Sequence, residues 1–177
     1  MSEANLVRLL VFRVGNLACA AEVDAVREIL PRLPTTRIPG APPVVAGLVN
    51  VRGTLVTVVE GWRALGQPPP ASAPGNSDAA GNGGGEAGGV AAGSTVLLEV
   101  GAAGAAAPAA RRLIGFTVDE VMDMLAVGEG TLEQGTGLAG VNPTLVRAVG
   151  RRGGNVFVVL DVAALLGPIL TIQGREQ

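Results

Sequence analysis

The residues best suited by type to acid–base or metal chemistry are the carboxylates Asp119, Glu120 and Asp123 in "TVDEVMDM", with a further acid at Asp161. Paired-carboxylate hydrolysis needs an acid and a base converging on one bond, and a divalent cation needs several oxygens around one point. The first three acids sit where a strand is expected to run into a turn, and no second cluster completes an octahedral set. Asp161 precedes "VAALLG" and reads as a helix N-cap. Cys19, the single cysteine, lies among Leu17, Ala18 and Ala20 and reads as a core residue, not a nucleophile. No catalytic, cofactor-binding or metal-ligating residue is expected on these grounds. A pocket holding Asp119, Asp123 and Asp161 together would instead support a carboxylate-dependent hydrolase.

Absent residue types narrow the chemistry further. The chain has no His, no Lys and no Tyr, so its thirteen basic residues are all arginines. That removes imidazole acid–base catalysis, His metal ligands, a phosphate-loop lysine and a Schiff base.

A different constellation lies in "GLVNVRGTLVTVVEG", residues 47–61, where Asn50 and Arg52 interrupt a run of strand-forming residues. A charge flanked by strand on both sides must face water or meet a carboxylate, because burying it unpaired is prohibitive. The candidate partners are Glu28 and Glu60, and the residues alone leave the solvent-facing and paired arrangements equally open. "LVNV" and "LVTVV" read as two strands of a hairpin, with Gly53 supplying the positive φ of a tight turn.

These groups need elements to position them. "LVRLLVFRV", residues 6–14, reads as a strand ending at the turn signal Gly15-Asn16, and "LACAA" as the start of a second. In "EVDAVREIL", Val23, Val26 and Leu30 fall at helical spacing, so a short helix is expected there. Five prolines between positions 31 and 43 then favour extended chain and turns, with a short helical turn before the hairpin. "EGWRALG" predicts one or two helical turns closing at Gly66. Residues 95–100 and 113–118 predict a hairpin whose enlarged tip is "GAAGAAAPAA". Strands over 145–149 and 155–160 flank "RRGG", and a short C-terminal helix follows. Many short strands with turn signals between them indicate a mainly β protein built of small barrels or a sandwich.

The chain is 48% hydrophobic and 16% charged with a net charge of −2, which places it among folded domains. Scattered arginines and 2% aromatics argue against nucleic acid as a partner. No long uncharged apolar run predicts direct membrane insertion, the N-terminus carries no export pattern, and one cysteine fits a reducing compartment. A cytoplasmic location is expected. Between about 67 and 93 the composition shifts to Gly, Ala, Pro, Ser and Asn, too poor in apolar area to offset the entropy of ordering, and a flexible linker is expected.

Taken together, "LLVFRVGN", "VDAVREIL", "TRIPGAPPVVAGLVNVRG", "IGFTVDEVMDM" and "VGRRGGNVFVVLDVAALL" resemble the CheW-like coupling proteins of bacterial chemotaxis. The resemblance spans nearly all the chain outside its two inserts. It implies two small SH3-like, five-stranded β-barrels side by side, with short helices and a third apolar layer between the barrels. One CheW-like domain would cover 6–170: about 6–66 mostly first barrel, about 67–93 linker, about 94–170 mostly second barrel and C-terminal helix. It also implies a non-catalytic adaptor, without cofactor. Its partners would be the cytoplasmic tip of a chemoreceptor, the regulatory domain of a CheA-type histidine kinase, and other CheW-like proteins, in chemoreceptor clusters. Glu28 and Arg52 fall on the family's ion-paired Glu and Arg, which favours Glu28 as the partner. Val26, Gly47 and Asn50 match positions around the same receptor-facing groove. The chain departs from the family at 57–61, where Thr57 stands for a proline and Gly61 for an apolar residue beside Glu60. A less firmly packed strand end is expected there. With the long inserts, that departure raises the alternative of a receptor-only accessory with weakened kinase binding.

Overall fold

The computed structural model of the chain describes residues 5–70, 93–101, 111–134 and 140–173. The described strands are β1 (Leu6–Val14), β2 (Leu17–Glu22), β3 (Val26–Pro31), β4 (Val45–Val51), β5 (Thr54–Val59), β6 (Ser94–Gly101), β7 (Arg111–Val118), β8 (Glu120–Gly128), β9 (Glu133–Gln134), β10 (Val146–Arg152) and β11 (Asn155–Leu160). Two helices, α1 (Gly61–Ala64) and α2 (Val162–Gln173), each follow the second strand of a hairpin.

The strands form two sheets, in the orders β8-β1-β2-β11-β10-β9 and β3-β6-β7-β5-β4. All neighbours are antiparallel except β2 with β11 and β5 with β7. Each sheet curls back on itself. In the first, β9 continues β8 through the 3-10 turn Glu129–Thr131 and pairs with the far strand β10. In the second, Thr36, just beyond β3, exchanges two hydrogen bonds of 2.8 Å with Leu48 of the far strand β4.

Side-chain alternation along the strands produces three apolar layers. Leu9, Val11, Ala20, Phe157 and Val159 fill the inside of the first sheet, and Val49, Val56, Val58 and Leu97 the inside of the second. The largest layer lies between the sheets: Leu10, Phe12, Cys19 and Val158 meet Val59, Val96, Ile114 and Phe116, with Leu165 and Leu166 of α2. Phe12 and Phe116 pack edge to face across it, with centroids 6.1 Å apart. The structure is therefore mainly β, two small curled sheets sharing an apolar layer, as the resemblance implied.

Three expectations are corrected. Residues 23–30 do not form a helix. Val23–Ala25 make one 3-10 turn, and β3 follows with alternating burial, the period of a strand and not of a helix. Pro31 is tolerated because β3 is an edge strand. Of the carboxylates near 119–123 only Asp119 lies at the bend that ends β7; Glu120 and Asp123 stand on β8, which runs for nine residues from Glu120. The division into barrels at the linker also differs. β1 and β2 belong to one sheet, β3 to β7 to the other, and β8 to β11 return to the first. The chain changes sheet at Val23–Ala25 and at Asp119, while 65–93 leave from and return to the same sheet. The expected flexibility of 67–93 concerns residues that lie, for 71–92, outside those described.

The three anticipated hairpins form: β4 with β5, Ser94 through Gly101 opposite Val118 through Arg111, and β10 with β11, Val146 opposite Leu160. Asp161 caps α2, its Oδ1 accepting from Ala164 N at 3.0 Å.

Candidate docking site

The β4–β5 hairpin closes through Val51 opposite Thr54, leaving Arg52 and Gly53 as its two turn residues. Their φ angles are 50° and 84°, the signature of a turn whose twist matches the strands. Arginine in the left-handed region is strained by about 1 kcal/mol. Asn50 offsets that strain, its Oδ1 accepting from Gly53 N at 2.8 Å. With the backbone so pinned, Arg52 Nη2 donates to Glu28 Oε1 at 2.7 Å. The Arg52 side chain is 78% exposed and that of Glu28 29%. The alternatives for Arg52 therefore both hold: it faces water and is paired. A pair this exposed contributes about 0–1 kcal/mol, so one carboxylate holds the guanidinium in place while most of its donors face solvent.

Glu60 is occupied elsewhere. Arg32 Nη2 donates to its two oxygens at 2.9 and 3.3 Å, and Thr117 Oγ1 donates at 3.1 Å. Thr117 Oγ1 in turn accepts from Gly61 N at 3.0 Å. This network is largely buried, the Arg32 and Glu60 side chains being 11% and 19% exposed. The two ion pairs join the same chain segments. Glu28 on β3 meets Arg52 between β4 and β5, and Arg32 just after β3 meets Glu60 just after β5. One exposed and one buried pair thus flank the seam that the Thr36–Leu48 bridge closes.

Gly47 lies at the bulge in the β4–β5 register, at φ 151°, where a Cβ would overlap the Thr36 carbonyl oxygen. It serves the seam and does not touch the ion pair. Val26 packs on the central layer, while the bulge between Val26 and Glu28 turns Glu28 to the opposite face. Glu28, Asn50 and Arg52 are thus brought together, with Gly47 behind them and Val26 apart.

Packing at 57–61 corrects the expectation of a loose strand end. Thr57, Val58 and Val59 are all buried, Thr57 opposite Ile114. Gly61 is buried where a Cβ would overlap the Thr117 carbonyl oxygen, so the site excludes an apolar side chain. Three residues escaped the sequence analysis. Arg32 and Thr117 complete the buried network, and Leu55, 68% exposed, stands on the hairpin beside Arg52. Alternation signals Leu55: Val56 and Val58 point inward, so Leu55 and Thr57 point outward. Nothing local marks Arg32, which lies in the proline-rich stretch.

The hydrolase arrangement does not assemble. Asp119 Oδ2 accepts from Gly15 N at 2.6 Å, Asp123 pairs with Arg152, and Asp161 caps α2. A cleft of about 300 Å³ between the sheets is lined by Asp161, Glu22, Glu99 and Arg147 among others, but by neither Asp119 nor Asp123. Arg147 there is held by Glu22. The Met124 amide, then Arg152, hold Asp123 below the ordinary carboxylate range. Burial pushes the Cys19 thiol up to about 12, opposite to what a nucleophile requires.

A family model for the CheW-like domain matches residues 8–169. The chain belongs to the CheW-like family. A curated CheW-like relative, the chemotaxis protein CheW of Rhizobium meliloti (strain 1021), is 40% identical over 52 residues, which cover 29% of this chain and 34% of that protein. The matched stretch is thus about a third of the relative's length. Among solved structures, the scaffolding protein TtCheW of Thermoanaerobacter tengcongensis superposes with a TM-score of 0.71 at 14% identity, covering 93% of this chain and 90% of that one. At that identity the likeness establishes a shared CheW-like fold. No described helix is long and apolar enough to cross a membrane.

Proposed function

We propose that this CheW-like protein is a non-catalytic adaptor that binds the cytoplasmic tip of a chemoreceptor and links it to a CheA-type histidine kinase. It would do so in cytoplasmic receptor clusters. The observation that carries the reading is the 2.7 Å Arg52–Glu28 pair on a turn pinned by Asn50, in a chain matched to the CheW-like model over 8–169. The guanidinium is fixed in position yet exposed, beside the exposed Leu55. That combination suits a helix presenting an apolar stripe with a carboxylate at its margin. Firm packing over 57–61 removes one of the two motives for a receptor-only accessory, so coupling to both partners is the reading favoured.

A paired calorimetric titration tests it, using a receptor cytoplasmic fragment and, separately, a kinase regulatory domain. Binding to both supports the coupler. Binding to the receptor alone replaces it with the accessory, and binding to neither refutes both. Arg52→Ala is expected to weaken receptor binding about tenfold or more, a loss of about 1.4 kcal/mol, while folding stability changes by less than about 1 kcal/mol. An unfolded variant would assign Arg52 a structural role instead.

A further inference from the structure

The Glu28–Arg52 pair does not stand alone at its end of the second sheet. Glu28 faces Leu97 across β3 and β6, and Leu97 belongs to the layer inside that sheet, so Glu28 is on the inner face. Two residues further along β6, Glu99 shares that face and stands opposite Leu113, which packs on the same layer. The register therefore makes Glu28 and Glu99 diagonal neighbours on adjacent strands, within reach of the same long side chains.

Arginines reach these acids from three directions. Arg52 comes from the hairpin turn to Glu28. The bulge between Val26 and Glu28 leaves Arg27 as the extra residue, and its Nη1 lies 3.9 Å from Glu99 Oε2. Arg111 opens β7 opposite Gly101, and its Nη1 lies 3.7 Å from Glu99 Oε1. One continuous row results: Arg52, Glu28, Arg27, Glu99, Arg111. The acids are its inner members, with side chains 29% and 24% exposed, and the arginines its outer ones, at 78%, 67% and 62%. Three arginines against two glutamates leave one net positive charge, on a chain whose total is −2. The two contacts to Glu99 are ion pairs too long for hydrogen bonds. Neither Arg27 nor Arg111 donates a side-chain hydrogen bond to any described residue, so their donors stand ready for another acceptor.

We propose that Arg27 and Arg111 are specificity-determining residues of the docking site, and that the segment it takes is an acidic helix with several carboxylates in a row. Charge complementarity selects that occupant. The glutamates hold the three guanidiniums from behind, and what the rim presents outward is positive. Carboxylates recurring at i, i+3 or i+4 line one face of a helix and meet such a rim together. A positive island on a negative chain also steers an acidic partner to this end of the second sheet. The inference rests on the receptor reading above and deepens it, replacing a single carboxylate at the margin of the helix with a row of them.

Calorimetric titration of the whole protein with the receptor cytoplasmic fragment, at two ionic strengths, tests this. Arg27→Gln and Arg111→Gln are each expected to weaken binding about fivefold, and the double variant about twentyfold or more. The losses shrink at the higher ionic strength, where exposed charges are screened. Arg27→Lys and Arg111→Lys keep the charge and are expected to retain most of the affinity. Arg151→Gln, on the far hairpin of the other sheet, changes the net charge equally and keeps affinity within about twofold. Unchanged thermal unfolding shows that the fold is kept. Wild-type affinity in both glutamine variants, with Arg52→Ala still weakening binding, overturns the inference and leaves the receptor reading standing. Losses no larger than that of Arg151→Gln overturn it as well, since net charge alone then accounts for them. Absence of binding in the wild type overturns both.

Discussion

Arg52 and Arg32 carry the same group in opposite settings, and solvent decides what each does. Arg32 and Glu60 are mostly out of water and share their network with Thr117, so removing either partner strands a buried charge, at about 3–5 kcal/mol. Arg52 is screened and contributes little to folding, which leaves it free to serve recognition. The sequence narrowed the partner of Arg52 to two glutamates but could not choose between them. The choice depends on Arg32 claiming Glu60, a contact across 28 positions that no local pattern encodes. Cys19 was legible from its apolar neighbours alone. Its raised thiol pKa has a definite sign: the folded state keeps a proton that the unfolded chain releases above about 9.0. Stability from this residue is complete below that value and is lost progressively as pH rises toward about 12. Denaturant midpoints measured from pH 8 to 11 should fall less in Cys19→Ala than in the wild type; equal slopes would show that the thiol is not what couples folding to alkali.

Elements were recovered where one face of a strand alternates cleanly and lost where a bulge breaks the alternation. β5 and β11 read correctly because their inward residues, Val56 and Val58 in one and Phe157 and Val159 in the other, keep a period of two. β3 and β8 each contain a bulge, and the slipped residue brings apolar positions into false helical spacing or hides a strand behind its acids. The bulge at Gly47 has a further duty, admitting the Thr36 carbonyl to close the second sheet. Gly47→Ala is accordingly expected to destabilise the fold by about 1–3 kcal/mol, because the Thr36–Leu48 bridge must open to make room. Urea unfolding checks this, and a variant as stable as the wild type would mean that the seam closes without the bridge.

At the scale of the whole molecule, the layer between the sheets joins the two sheets into one cooperative unit. It is the largest apolar cluster described, and Phe12 and Phe116 meet in it. Phe116→Ala is expected to cost about 3–5 kcal/mol. Trp62, the single tryptophan, flanks this layer from α1. Its fluorescence should therefore unfold together with far-ultraviolet circular dichroism, in the wild type and in Phe116→Ala alike. Separate transitions would mean that the sheets melt independently. The sequence conveyed two barrels and a middle layer through the family resemblance, yet the place where the chain changes sheet was misread. The strands on either side of the composition break at 67–93, β5 and β6, belong to one sheet, and both true crossings are made in a few ordinary residues. That routing imposes an order on synthesis. Every strand of the second sheet has been made by residue 118, whereas β2 must wait for β11, with Cys19 and Val158 139 positions apart. A ribosome therefore releases the second sheet with its full set of partners while the first hairpin, bearing Leu10 and Phe12, still lacks its own. This hairpin emerges before the second sheet yet is enclosed after it, and it is there that a nascent chain of this protein most needs protection from aggregation.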